Sequence, residues 1–304
     1  MGIDLHNLGL LAHAQDLGAR FTRTIGIGRQ AVFIDAPDLE RHRRLRSLPI
    51  LPEPDSSMRY FEPLLTQWFA AERVDSVDAS PYEAATIVHD MNLPWPADAE
   101  GRGSYDAVLD FGCLEHVFNF PVAWRNCVDL CRVGGHLLHA LPANNLSGHG
   151  FYQFSPELFF SLYRPERGFE LRGIWMAEKA DLRHWWKVAD PRVRRRRVTL
   201  RNSHETYLLV IARKLAEVGS LPAPQQSDYA GQEWLGAASP VPTGVAVRER
   251  GGLAAGLDAL GLLDAARSLR ARIQALRTSS LALPAPDYER VVVGDLLRRG
   301  AAAP

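Results

Sequence analysis

The sequence predicts an α/β chain: a mostly parallel β-sheet with helices packed on both of its faces. Three observations carry this prediction. Short β-like segments recur between residues 22 and 212, helical stretches alternate with them, and Gly or Pro closes most of the segments. The 304 residues are 46% hydrophobic and 23% charged, enough for a sizeable core in one large domain or two modest ones. That composition excludes a disordered chain, a collagen and a disulfide-stapled miniprotein. Thirty-five basic residues balance thirty-five acidic ones, so no global field recruits nucleic acid or an anionic membrane. The three Cys suit a reducing compartment. The N-terminus places Asp4 where a signal peptide wants a cation, and no apolar run reaches the length of a membrane span. The expectation is a soluble, cytoplasmic protein.

The elements follow in order. Leu5 to Arg20 sets Leu5, Leu8 and Ala12 at helical spacing and reads as a covering helix. Thr22 to Gln30 is β-like and ends in a glycine turn. Asp35 to Ser57, rich in Arg and Pro, reads as an irregular insertion. Tyr60, Phe61, Leu64, Leu65, Trp68 and Phe69 then fall on one helical stripe. Strands are expected at Arg73–Asp78, Thr86–His89 and Ala107–Phe111. Val122–Arg132 reads as a helix stopped by Gly134-Gly135, and His136–Leu141 as a strand closed by Pro142. Ser155 is placed to cap a helix over Pro156–Tyr163. Phe169–Met176 and Glu205–Ala212 complete a set of seven strands. Beyond these, residues 1–215 form the main domain, 216–245 a linker or arm rich in Pro, Gly, Ser and Gln, and 246–304 a helical C-terminal appendage. The helical periodicity of Leu253–Arg277 offers a surface for self-association into a homo-oligomer.

Parallel α/β sheets bind ligands at the carboxyl ends of their strands, so the residues just after the strands are the candidates. Three segments stand out there: Val77-Asp78-Ala79-Ser80, then His89-Asp90-Met91-Asn92-Leu93-Pro94-Trp95, and Tyr105 to Val117 with its Asp110-Phe111-Gly112-Cys113-Leu114-Glu115-His116 run. An acid ending the second strand is placed as a bidentate acceptor for a ribose diol, although a strand-terminal Asp also caps turns.

In order and spacing these segments resemble the class I S-adenosylmethionine-dependent methyltransferases, in particular the small-molecule branch with a Leu-Glu-His-Val segment. The resemblance runs from about Ile25 to Leu215 and is most specific over Tyr105–Pro142. It implies a Rossmann-like, seven-stranded methyltransferase fold, S-adenosylmethionine as cofactor and no metal. It also implies a donor site at Gly26, Gly28, Asp78, Ala79, Ser80, Asp90, Met91, Asn92, Asp110, Phe111, Gly112 and Glu115. In that reading Asp78 meets the ribose, Asp90 accepts from the adenine amino group, and the backbone at Met91 or Asn92 meets the ring edge. Glu115 and His116 open the next helix, where charge at a helix start explains them equally well.

The family's glycine loop runs Asp/Glu-x-Gly-x-Gly-x-Gly, whereas this chain has Thr24-Ile25-Gly26-Ile27-Gly28-Arg29-Gln30, without the first acid and the last Gly. Arg29 offers a bidentate partner for the cofactor's carboxylate in their place. The loop after the fifth strand carries Asn145, His149, Phe151, Tyr152 and Phe154, an apolar clamp with one titratable group that fits a substrate lid. His149 is the first candidate for general base and His116 the second, because imidazole titrates near neutral pH. A base suits a hydroxyl acceptor. Cys127 and Cys131 lack Cys-x-x-Cys spacing and read as buried apolar residues rather than zinc ligands. Trp185-Trp186-Lys187 and the Arg192–Arg197 run set bases beside aromatics, which suits an anionic acceptor or RNA; the zero net charge argues against nucleic acid. The degenerate loop also admits a different class of function, a catalytically inactive methyltransferase-like binding or assembly subunit. A nicotinamide-binding Rossmann enzyme fits least, since it needs a full G-x-G-x-x-G and gives the Leu-Glu-His-Val segment no role.

Overall fold

Strand order and polarity fix the architecture. In the computed structural model, which describes residues 2–45, 59–195, 197–200, 202–219, 223–227, 269 and 287–299, nine strands form one sheet in the order β3-β2-β1-β4-β5-β8-β6-β7-β9. These are β1 (Arg23–Ile27), β2 (Arg73–Asp78), β3 (Ile87–Val88), β4 (Tyr105–Asp110), β5 (Cys131–Asn144), β6 (Phe169–Glu178), β7 (His184–Val188), β8 (Thr206–Lys214) and β9 (Tyr288–Val292). The first five are parallel and run 3-2-1-4-5, the doubly wound order whose switch point lies between β1 and β4. β8 enters antiparallel between β5 and β6, and β7 and β9 continue the antiparallel side. The expected α/β class stands, with nine strands among the described residues in place of seven.

Strand alternation sends neighbouring residues to two separate cores. Val108, Leu137 and Val210 face one, with helix α4 (Phe120–Leu130) and helix α5 (Pro156–Leu162) packed over them. Ala107, Leu109, Leu138 and Ile211 face the other, covered by α1 (Leu5–Asp16), α3 (Glu62–Trp68) and α7 (Val293–Arg299). α4 buries Phe120, Ala123, Trp124, Cys127 and Val128, the i, i+3, i+4, i+7, i+8 stripe of a helix lying on a sheet. Burial pushes the Cys127 thiol well above its usual range, in keeping with an inert core cysteine.

Several expectations are corrected. The stretch from Asp35 is not wholly irregular: Ala36–Leu45 forms α2, where Glu40 pairs with Arg43 and Arg44 at helical spacing and His42 stacks on Trp68. Residues 46–58 lie outside the described set. α4 ends at Leu130, and Gly134-Gly135 sits inside β5, in an irregularity of its pairing with β4, so the pair acts as a strand bulge rather than a helix stop. Pro142 does not close β5, because a second irregularity before Asn144 absorbs its missing N–H. Trp185 and Trp186 form part of β7 and are buried in opposite cores, so they are not a surface partner for an anion or for RNA. Arg192 and Arg194 lie on the short helix α6 (Pro191–Arg194) that follows. Finally, β9 and α7 belong to the main sheet and its covering layer, not to a separate appendage. The periodic stretch Leu253–Arg277, apart from Leu269, lies outside the described residues. No helix among the described residues is long and apolar enough to cross a membrane.

Candidate functional site

The carboxyl ends of β1, β2, β3 and β4 bring most of the predicted residues to one edge. Gly28 follows β1 with a φ of +75° that suits glycine, and a side chain added there would meet Gln30 at 3.4 Å and Cys113 at 3.7 Å. Gly26 lies under the ring of Phe61, which leaves no room for a larger residue. Asp78 and Asp90 follow neighbouring parallel strands, and the His89 N–H donates to the Asp78 carbonyl at 2.8 Å. Among the described residues, the Asp78 Oδ1 accepts only from Ser80 N at 3.3 Å, inside an exposed turn with Ala79. The Asp90 Oδ1 accepts from both the backbone and the side-chain nitrogens of Asn92, and these bonds hold the exposed carboxyl below its ordinary range. Each acid thus keeps its Oδ2 free of protein partners among the described residues. Met91 buries its side chain in the core, and the Asn92 N–H is already spent on Asp90.

Arg29 is committed elsewhere. Its Nε donates to Glu62 at 2.8 Å, one Nη donates to the Glu83 carbonyl at 2.7 Å, and the guanidinium lies over the Tyr60 ring. It ties the loop after β2 to α3 rather than standing open for a ligand. Asp110 is likewise used by the protein. Fully buried, its Oδ1 accepts from Cys113 N and Leu114 N, and its Oδ2 accepts from His139 Nδ1 at 2.9 Å.

His139 extends a network that sequence reasoning missed. It sits opposite Asp110 in the β4–β5 register. Its Nε2 lies 2.6 Å from the Tyr163 hydroxyl, which also accepts from Trp124 Nε1 at 3.0 Å. Indole nitrogen only donates, so the hydroxyl proton goes to His139 Nε2 and the ring proton sits on Nδ1, facing Asp110. With that tautomer every member of the chain has a partner. An acid ending one parallel strand and a His on the next was the signal available in the sequence.

Held by Asp110, the chain makes a 3₁₀ turn at Leu114–His116. Glu115 is fully buried there, and neither of its carboxylate oxygens accepts a hydrogen bond. Burial and the nearby Asp110 push its carboxyl up to about 8. The loop after β5 folds over it: Phe151 N donates to the Glu115 carbonyl at 2.7 Å, and Gly150, at φ +80°, lies so close that a Cβ would sit 2.8 Å from that oxygen. This closure brings His149 Nε2 to 3.3 Å and His116 Nε2 to 3.6 Å from Glu115 Oε1. Burial holds both imidazoles below their ordinary pKa, and each is partly exposed at its outer edge.

The other lid residues divide. Phe151 is exposed and meets exposed Phe118 edge to face at 5.9 Å, while the Tyr152 hydroxyl donates to the Phe118 carbonyl. Asn145 is bound to Asn202 and to the His204 carbonyl. Phe154 packs into the core on Phe120 and borders a cavity of about 240 Å³ with Asn144, Met176 and Tyr288. Phe111 is fully buried, and Gly112 beside it takes φ +93°.

No family model and no curated protein matches the chain. Among solved structures it is similar to the 1,6-didemethyltoxoflavin-N1-methyltransferase of Burkholderia thailandensis with S-adenosylhomocysteine bound, at 16% identity over 70% of this chain and 78% of that one, TM-score 0.38. It is also similar to the N-methyltransferase NodS of Bradyrhizobium japonicum in complex with S-adenosylhomocysteine, at 13% identity over 66% and 85%, TM-score 0.35. A third similar structure is the [4+2]-cyclase SpnF, at 16% identity over 70% and 80%, TM-score 0.36.

Proposed function

We propose that the chain binds S-adenosylmethionine and transfers its methyl group to an oxygen of a small-molecule acceptor. The observation that supports this reading best is the pair Asp78 and Asp90, each offering an unused carboxylate oxygen on adjacent strand ends beside the switch point of the sheet. Gly28 fits the same site, since its positive φ suits glycine at the turn that follows β1. Asp78 accepts from the ribose diol and Asp90 from the adenine amino group, while Ala79 and Ser80 shape the turn between them. Arg29 acts as a positioning residue that holds the loop after β2. Asp110 sets the Leu114–His116 turn rather than touching the ligand.

The cofactor supplies a methyl group on a sulfonium, which needs alignment and exclusion of water more than covalent help. The lid from Asn145 to Phe154 excludes solvent, with the Phe118–Phe151 pair at its rim. The exposed edge of His149, whose imidazole is held by burial below its ordinary pKa, accepts the acceptor hydroxyl's proton, and His116 stands beside it with ring centroids 5.0 Å apart. The commitment of Arg29 to Glu62 favours the second reading, a methyltransferase-like binding subunit without activity.

Calorimetric titration tests both. S-adenosylmethionine and S-adenosylhomocysteine are expected to bind in the micromolar range, and Asp78→Asn to weaken them by about tenfold, the loss of a charge-assisted hydrogen bond. Silence with both ligands on folded protein rejects the transferase reading.

A further inference from the structure

We infer that Glu115, His116 and His149 form a binding site for one divalent transition-metal ion, with zinc the best match. Their donor atoms Glu115 Oε1, His116 Nε2 and His149 Nε2 lie within 4.8 Å of one another. A tetrahedral ion with bonds of 2.0–2.1 Å has donor-to-donor edges of about 3.4 Å. The two oxygen-to-nitrogen edges here are 3.3 and 3.6 Å and the nitrogen-to-nitrogen edge is within 4.8 Å, so a metal fits between the atoms once the two imidazoles draw together.

Polar accounting points the same way. A buried carboxylate normally finds donors, and stranding one is costly. Glu115 has no exposed surface and both of its oxygens are orphaned, as is His149 Nε2. These groups face each other at short range without forming a hydrogen bond, the arrangement expected of ligands aimed at a common centre. Two imidazoles and one carboxylate form a donor set of intermediate softness, suited to zinc, cobalt or iron rather than magnesium or calcium. Cys113 lies one residue before the turn and is kept as a control, since its thiol is another soft donor.

The backbone shows that the cluster is built rather than incidental. Asp110 fixes the turn carrying Glu115 and His116, and the Gly150 contact fixes the loop carrying His149. An ion bound here locks lid to turn. Three protein ligands leave a coordination position open on the partly exposed side of the two histidines. An acceptor oxygen, as a hydroxyl, phenol or enol, takes that position and gives up its proton to solvent water more readily; with the ion bound, this takes the place of His149 as base. This acceptor role rests on the proposed methyl transfer, whereas ion binding stands without it.

The test is titration of Zn²⁺, followed by calorimetry, and of Co²⁺, followed by its visible absorption, into chelator-treated full-length protein with no methyl donor present. One ion per chain is expected. Glu115→Gln and His149→Ala should each weaken binding by about 100-fold, on the scale of losing a ligand, and Cys113→Ser should leave it unchanged. His149 lies on a surface loop, so its variant stays folded even where the buried Glu115→Gln does not. Folded wild-type protein that takes up no ion overturns the proposal, as does binding that survives His149→Ala or disappears with Cys113→Ser. Because no cofactor enters this titration, it can fail while S-adenosylmethionine still binds, and the reverse holds too.

Discussion

The Tyr163 hydroxyl satisfies two buried groups at once, accepting from Trp124 and donating to His139. Replacing Tyr163 with Phe keeps the ring that packs on Phe159 and Phe169 but strands the Trp124 N–H and the His139 Nε2. Each orphaned group costs about 1–3 kcal/mol, so a loss of about 2–6 kcal/mol is expected. In urea this is a lower midpoint at unchanged slope. The variant also loosens the imidazole that holds Asp110. The place of Asp78 and Asp90 at neighbouring strand ends was legible in the sequence, because a strand-terminal acid has a local signature. Asp110 was found but its task was not: both of its oxygens serve partners, the 113–114 backbone and His139, that only the fold brings close. Arg29 went astray for the same reason, since Glu62 lies 33 residues away along the chain.

Among the elements, α4 is anchored at its end by an unusual group. Lys214, almost wholly buried at the end of β8, donates to the carbonyls of Val128 and Cys131 and to Glu217. The ammonium satisfies carbonyls that the helix end leaves open and complements its dipole. Lys214→Met retains the apolar stem and removes all three donors; a loss of about 2–3 kcal/mol in unfolding free energy is the expected outcome in a denaturant titration. The elements best read from sequence were those with strong local patterns, such as β2 and the capped α5, whose Ser155 accepts from Glu157 N as anticipated. β7 was missed because adjacent Trp residues beside an Arg run look like a surface. They are buried only because the sheet is covered on both faces, a tertiary fact.

For the whole molecule, the C-terminal strand closes the sheet. β9 pairs along the full length of β7, and Tyr288, Val293 and Leu297 are buried against the domain. Deleting residues 287–304 bares the β7 edge and part of the core under α1, so the melting temperature should fall and light scattering should rise on heating; unchanged melting would show that the edge protects itself. The change of composition after Lys214 and the helical periodicity of Leu253–Arg277 set the expectation of a separate appendage, and nothing local in Tyr288–Val292 marks it as a sheet partner.

The placement of β8 also bears on how the chain is made. β6 leaves the ribosome before the strand that flanks it along its length, and β8 must then insert between β5 and β6. Until residue 214 has emerged, the apolar run Ile174-Trp175-Met176-Ala177 has only the short hairpin with β7 as a strand partner among the described residues. The nascent protein therefore passes through a stage in which its first five strands can assemble while the sixth waits exposed, the stage at which misassociation with other chains threatens most.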